Sequence, residues 1–469
     1  MMTPMTGFIG ALYSFRIAVS SERAGIMNVT ELSASLAEQA QRAVELARAK
    51  GADQAEAGLS HDEGLSVTVR LGELESVERQ KDRSLGVTVY KGQRKGSAST
   101  NDFSERGIAA AVGKALSIAE FTASDPHAGL ADLARLATNP PDLDLYHEWN
   151  LDTPEAEAIA LQTEQAARDF DSRIENSEGA SVSTGGGVRA YANSNGFVGS
   201  YASGSHSISV SVVAAMNGLL ERDYWYTTAR APGDLERAAD VGRLAAERAV
   251  RRLGSRQIGT RVVPVLFPAE LARSLFGHFI AAIRGTSQYR RASFLLDSVG
   301  QRIFPDWMRI IEDPHIARAM GSAPFDGEGV ETRQRTLVDQ GVLQGLVLSS
   351  YSARRLGLET TGNAGGVHNL IVEPNADSLA SLEADCAEGM VVTEVLGQGV
   401  NIVTGDYSRG VAGYWVKDGK FAFPVSEVTI AGNLRDMLSS IRAVGADVDL
   451  RGVVRCGAVL VDGMTVAGH

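Results

Sequence analysis

The chain has 469 residues, too many for one core of usual size, and its 44% hydrophobic residues suit globular cores rather than a membrane protein. Lys+Arg total 45 against Asp+Glu 57, and the net charge of -12 argues against sequence-independent nucleic-acid binding, which relies on neutralising phosphates. Two cysteines, Cys386 and Cys456, cannot build a disulfide framework, and no apolar run approaches the ~20 residues that span a bilayer.

The opening MMTPMTGFIGALYSF has a short apolar patch without a positive region before it, so it does not read as a signal peptide. Residues 1–27 are expected to be a disordered or non-native extension, with Met27 as an alternative start and the cytoplasm as location. From Glu31 to Lys50, apolar residues recur on one helical face, with Thr30 as cap and Gly51 as stop. Leu65–Leu71 alternates as a strand does, and Ser84–Tyr90 is a second β-like run. Ser104 is placed to cap a helix through Ala119. A further helix starts at Thr153-Pro154, with Thr153 as its cap and no capping box, because Ala156 stands where the box needs an acid.

From Arg173 to Arg230 the period is two, and Asn195-Gly196 and Asn217-Gly218 are hairpin signals. Asp234–Leu253 is helical again. The arginines at 248, 251, 252 and 256 read as solvated helix-end charges. The polar stretch Ser255–Arg261 is taken as the main boundary. Strand Val262–Phe267, a helix from Pro268 and a largely β remainder follow, with Asp418-Gly419 as a tight hairpin turn. The fold class expected is α+β: an N-terminal helix-and-antiparallel-sheet domain over 28–257, then a β-rich domain over 258–469. A further division of the first into 28–140 and 150–257 is an alternative.

The ordered blocks GVTVYKGQRKGSAST, PDLDLYH, LERDYWYT, SLFGH, FLLDSVGQRI and SSYSARRLGL precede ETTGNAGGVHNL and the long stretch containing GDYSRG, GYWV, PVSE and TIAGNL. Together they resemble the TldD/PmbA family of peptidases, and within it the PmbA (TldE) branch, from about Val29 to Gly468. In the TldD branch of that family, HExxxH on the helix after the first C-terminal strand and a later cysteine hold a catalytic zinc. Here the corresponding stretch reads Arg273-Ser274-Leu275-Phe276-Gly277-His278, and Cys456 in RCGAVLV matches the cysteine position. Arginine stays protonated and cannot ligate zinc, and serine cannot replace the carboxylate base without a partner.

The resemblance therefore implies a non-catalytic subunit with no cofactor of its own, paired with a TldD-like HExxxH subunit that carries zinc and acting on flexible peptides. A homodimer when the chain is alone is left open as an alternative assembly. Three functions are weighed: this subunit, a regulatory binding protein of the DNA gyrase modulator type, and a self-sufficient hydrolase using Ser274 or Cys456. His278 reads as a hydrogen-bonded core histidine and Cys456 as a small buried hydrophobe. Gly365, Gly366, His368 and Asn369 are candidates to line a cavity or the path of a substrate strand. Asp326, Glu328 and Glu331 read as a solvated acidic loop, and Tyr224-Trp225-Tyr226 as either an interface anchor or a packed sheet face. The remaining histidines show no ligand spacing, and Gly185–Gly187 lacks the context of a phosphate loop.

Overall fold

Helix α1 (Val29–Ala49) begins at Asn28, whose side chain accepts the Glu31 N–H, so the cap lies two residues before the Thr30 expected. Its buried stripe, Leu36, Ala40, Ala43, Val44 and Ala47, is rich in alanine and lets the helix sit close on a sheet. Strands β1 (Gln54–Arg70), β2 (Glu73–Lys91) and β3 (Arg94–Thr100) follow, then α2 (Glu105–Phe121), capped by Ser104 as its sequence predicts. The same helix, three-strand, helix order recurs as α3 (Thr153–Arg168), β4 (Ile174–Asn193), β5 (Val198–Met216), β6 (Leu219–Ala229) and α4 (Ala238–Arg252). α3 corrects a second cap: Asp152, not Thr153, is the N-cap, and it forms a full capping box with Glu155. The computed structural model describes residues 28–468. The expected N-terminal extension, the Met27 start and His469 lie outside the described residues.

The two units join edge to edge through antiparallel β1 and β4 into one six-stranded sheet, ordered β3-β2-β1-β4-β5-β6. The long strands are shared between two helix pairs, which explains their length. Ala55, Ala57 and Leu59 on β1 join the core under α1 and α2, whereas Leu65, Val67 and Val69 on the same strand join the core under α3 and α4. These odd-numbered positions face the helices, so the even-numbered positions of β1 form the opposite, helix-free face.

The C-terminal part opens with β7 (Arg261–Phe267) and helix α5 (Ala269–Ile283). Three short strands, β8 (Ile310–Glu312), β9 (Arg335–Asp339) and β10 (Val342–Leu343), precede β11 (Leu370–Val372). β12 (Glu388–Leu396), β13 (Asp406–Lys417), β14 (Lys420–Asn433), β15 (Ile441–Val444), β16 (Val454–Arg455) and β17 (Val459–Ala467) complete the chain. The row β14-β13-β12-β7-β17 closes on itself through a β14–β17 pairing, with β15 appended to β17. A second sheet runs β10-β9-β8-β11-β16. Leu275, Phe276, Phe279 and Ile283 of α5 are buried in a core to which both sheets contribute, and Phe276 stacks on Phe304. Helices and mostly antiparallel strands without regular βαβ alternation make the chain α+β, as the pattern of elements predicts.

Candidate functional site

α5 carries Arg273, Ser274 and His278 on a regular helix, where five residues at 100° each turn Arg273 and His278 about 140° apart. Arg273 faces the N-terminal sheet. Its Nη2 donates to the Tyr226 hydroxyl at 3.1 Å, and its Nη1 lies 3.7 Å from the Asp449 carboxylate. Asp449 is buried and also receives the Arg451 guanidinium at 2.9 Å and 3.2 Å. Burial alone would raise the Asp449 carboxyl, but Arg451 and then Arg273 hold it below the usual range. Arg451 in turn lies over the rings of Trp225 and Tyr226, 4.2 and 4.5 Å from their centroids.

Ser274 donates its hydroxyl to the Leu271 carbonyl at 2.7 Å, a bond within its own helix. Cys456 is fully buried, with its sulfur 4.0 Å from the Ala269 carbonyl, and burial pushes its thiol far up. A thiol kept neutral by burial is a poor nucleophile. His278 points toward Tyr407, the two rings edge to face at 6.1 Å. Its Nε2 and the Tyr407 hydroxyl are both buried without a hydrogen-bond partner among the described residues. The hydrogen bond expected for this histidine is therefore not made at Nε2, and burial, followed by Arg409, lowers its pKa. Among the described residues, no group of three or more His, Cys, Asp or Glu side chains gathers as a metal site would require. The residues at this locus do not fit a zinc ion.

Arg251 and Arg256 are exposed as the sequence predicts, but Arg248 and Arg252 are not solvated charges, because the sheet and α5 supply counter-charges that sequence distance conceals. Arg248 donates to Asp223 at 3.1 Å and Glu270 at 2.8 Å, and Arg252 pairs with Glu221 and Glu394. Arg251 lies over Tyr414 and Phe421, and Arg256 over Phe423. Asp223 and Trp225, on β6, thus belong to a charged clamp between α4, the sheet and the C-terminal part. Of the two readings of Tyr224-Trp225-Tyr226, the interface anchor describes Trp225 and Tyr226 best, with the interface internal to the chain.

The helix-free face of the N-terminal sheet is open. The strand registers set side chains there in cross-strand rows: Ser60 with Arg189 and Tyr201, Asp62 with Gly187 and Ser203, and Gly64 with Gly185 and Ser205. Ser66 and Ser183 hydrogen-bond across the next row at 2.9 Å. Glycine at 64, 185 and 187 strips this floor of side chains, and Gly185–Gly187 lies mid-strand rather than in a phosphate loop. Two adjoining cavities of ≈ 580 Å³ and ≈ 700 Å³ run along this face and share Arg189, Ser203 and Arg230 in their walls. The larger one is capped by C-terminal loops that bring Phe325, Asp326, Gly365, Gly366 and His368 to it.

His368 is held by its backbone N–H on Glu312, with Nε2 3.3 Å from the Gly362 carbonyl, and burial lowers its pKa. Asn369 is fully buried instead, and its amide braces Gly321, Asp313 and Ser322. Asp326 corrects the solvated-loop expectation. It is buried and accepts N–H bonds from Glu328, Val330 and Ala364, all at 2.9 Å. Burial pushes its carboxyl up to about 7 against the pull of those donors. Sequence reasoning missed Arg189 and Arg230. The Ser and Gly alternation through β4 and β5 was a signal of a polar, exposed face, but the arginines on it are legible only once the strands are in register.

Three family models cover most of the chain: PmbA/TldA metallopeptidase domain 1 at residues 55–119, the central domain at 146–253, and the C-terminal domain at 260–468. Metalloprotease PmbA of Escherichia coli O157:H7 is 47% identical over 434 residues, 92% of this chain and 96% of that protein. A PmbA homolog of Haemophilus influenzae is also 47% identical, over 91% of this chain and 95% of its own. Among solved structures, a Bacteroides thetaiotaomicron protein described as a "putative modulator of DNA gyrase" superposes with TM-score 0.88 at 27% identity, covering 92% of this chain and 98% of its own. TldE of Thermococcus kodakarensis shares the fold, with TM-score 0.80 at 18% identity over 92% of this chain and 100% of its own. With three domain models in order and near-half identity along almost the whole length, the chain belongs to the PmbA/TldD metallopeptidase family.

Proposed function

We propose that this chain is the non-catalytic subunit of a two-chain zinc metallopeptidase that processes short, unfolded peptides, its partner being an HExxxH-bearing relative that supplies the zinc. One observation carries the reading: where the family's zinc helix needs a ligand and a base, Arg273 is committed to Tyr226 and Asp449, and Ser274 to its own helix. A permanently charged guanidinium in that place repels a divalent cation. The open glycine-floored face supports the other half of the reading, a path on which an extended peptide can lie close to the sheet and meet few side chains, hence with little sequence selectivity. No described helix is long and apolar enough to cross a membrane, and the cytoplasm is the proposed location.

The test is metal content. The purified chain, dialysed against trace zinc, is expected to carry far less than one zinc per chain by elemental analysis. Retention of about one tightly held zinc per chain overturns the reading. A second reading, a gyrase-modulating binding protein, draws on the descriptions of solved structures from Bacteroides thetaiotaomicron and Thermotoga maritima. It requires the chain to change DNA gyrase supercoiling activity at stoichiometric concentration, which the subunit reading does not.

A further inference from the structure

Arg189 and Arg230 sit at the junction of the two cavities on the helix-free face. Arg230 is partly buried, and only two of its five N–H donors are accounted for, one on the Gly204 carbonyl at 2.7 Å and one on the Met320 carbonyl at 3.0 Å. Its Nε is buried with no partner, and no carboxylate compensates its charge among the described residues. Arg189 is exposed, on the row of Ser60 and Tyr201, and makes no ion pair or hydrogen bond among the described residues. Most other partly buried arginines of this chain, Arg248, Arg252, Arg335 and Arg451 among them, are matched to carboxylates. Two uncompensated guanidiniums in one cavity wall are what an anion site requires.

The surroundings select the anion. One row away, about 7 Å along the strand, Asp62 stands directly opposite Asp82, and Glu78 lies farther along the same cavity. That arrangement repels a polyanion such as nucleic acid and tolerates a single negative charge on an otherwise neutral or cationic chain. Beyond the arginines, Tyr191, Tyr201 and Phe325 line the larger chamber, whereas the approach on the other side is the glycine floor. We propose that Arg189 and Arg230 form a carboxylate subsite that anchors the free C-terminal carboxylate of a bound peptide, with its last side chain in the aromatic chamber and the preceding residues extended over Gly187, Gly185 and Gly64. The assignment rests on the groove being a peptide path, as proposed above, and adds the substrate class: short peptides with a free C-terminus.

The experiment is direct binding to the purified full chain. A short peptide of glycine, serine and alanine ending in leucine, labelled at its N-terminus, is titrated by fluorescence anisotropy as the free acid and as the C-terminal amide. The free acid is expected to bind at least about tenfold more tightly, and Arg189→Gln and Arg230→Gln are each expected to shrink that ratio toward one. Arg189→Gln alone suffices if Arg230→Gln fails to fold, since Arg189 bonds to nothing among the described residues. Equal binding of acid and amide overturns the carboxylate anchor and leaves the peptide path standing. No binding of either overturns both. An amide peptide carrying a terminal aspartate that binds as tightly as the free acid overturns the assignment to the chain end.

Discussion

Around Arg273 the charges are met: Asp449 sits between two guanidiniums, and Arg451 is stacked on Trp225 and Tyr226. Along the helix-free face of the N-terminal sheet the opposite holds. Arg189 and Arg230 lack carboxylate partners among the described residues, Asp62 faces Asp82, and glycine forms the floor. Helix α5 is tied to α4 through Glu270 and Arg248, and in the reading proposed above it serves as a structural strut. Unsatisfied charge, which often marks a binding site, lies on the sheet rather than around Arg273.

Four substitutions test this contrast. Phe276→Ala removes a fully buried ring stacked on Phe304, and is expected to cost about 3–5 kcal/mol in urea denaturation. A loss below about 1 kcal/mol would show that the helix is not packed as described. Arg248→Ala leaves buried Asp223 with Arg252 alone at 3.6 Å, and is expected to cost about 2–3 kcal/mol. A neutral outcome by the same measurement would restore the solvated reading of the α4 arginines.

Asp326 gives a pH signature. Its folded carboxyl, at about 7, lies above the ordinary 3.8, so between these values the folded state holds a proton that the unfolded state has lost. The corresponding stabilisation is present in full below about 4, declines as pH rises, and is gone above about 7. Asp326→Asn is expected to remove that decline from a stability–pH profile, whatever its absolute stability. An unchanged slope would place the carboxylate among the ordinary ones. The smallest effect is expected at Gly58, on the wall of the larger cavity, where an added Cβ meets nothing within 4 Å. Gly58→Ala is expected to change stability by no more than about 0.5 kcal/mol in urea denaturation, and a large loss would mean that the cavity is closed.

Local signals were legible in the sequence. Asn217-Gly218 and Asp418-Gly419 turn the chain with positive φ at both residues, as their dipeptides demand. Caps were legible to within two residues: Asp152 and Asn28 displaced Thr153 and Thr30 because the first N–H groups of a helix take the acceptor whose backbone is extended in the right place. That Arg273 and Ser274 stand where the family's motif has a ligand and a base is read from the motif alone, and the structure adds their partners, Tyr226, Asp449 and the Leu271 carbonyl. What escaped depends on distant partners. Arg248 finds Asp223 on β6 and Glu270 on α5, and Asp326 is drawn inward by Ala364, so no window of sequence around them carries the signal. The pairing of Arg189 with Arg230 likewise needs β4, β5 and β6 in register.

Peptide cleavage tests the subunit assignment most directly. An unstructured peptide is incubated with this chain, with an HExxxH-bearing relative from the same organism, and with both. Cleavage by the mixture alone, abolished by a zinc chelator, is the result expected. Chelator-sensitive cleavage by this chain alone would contradict it.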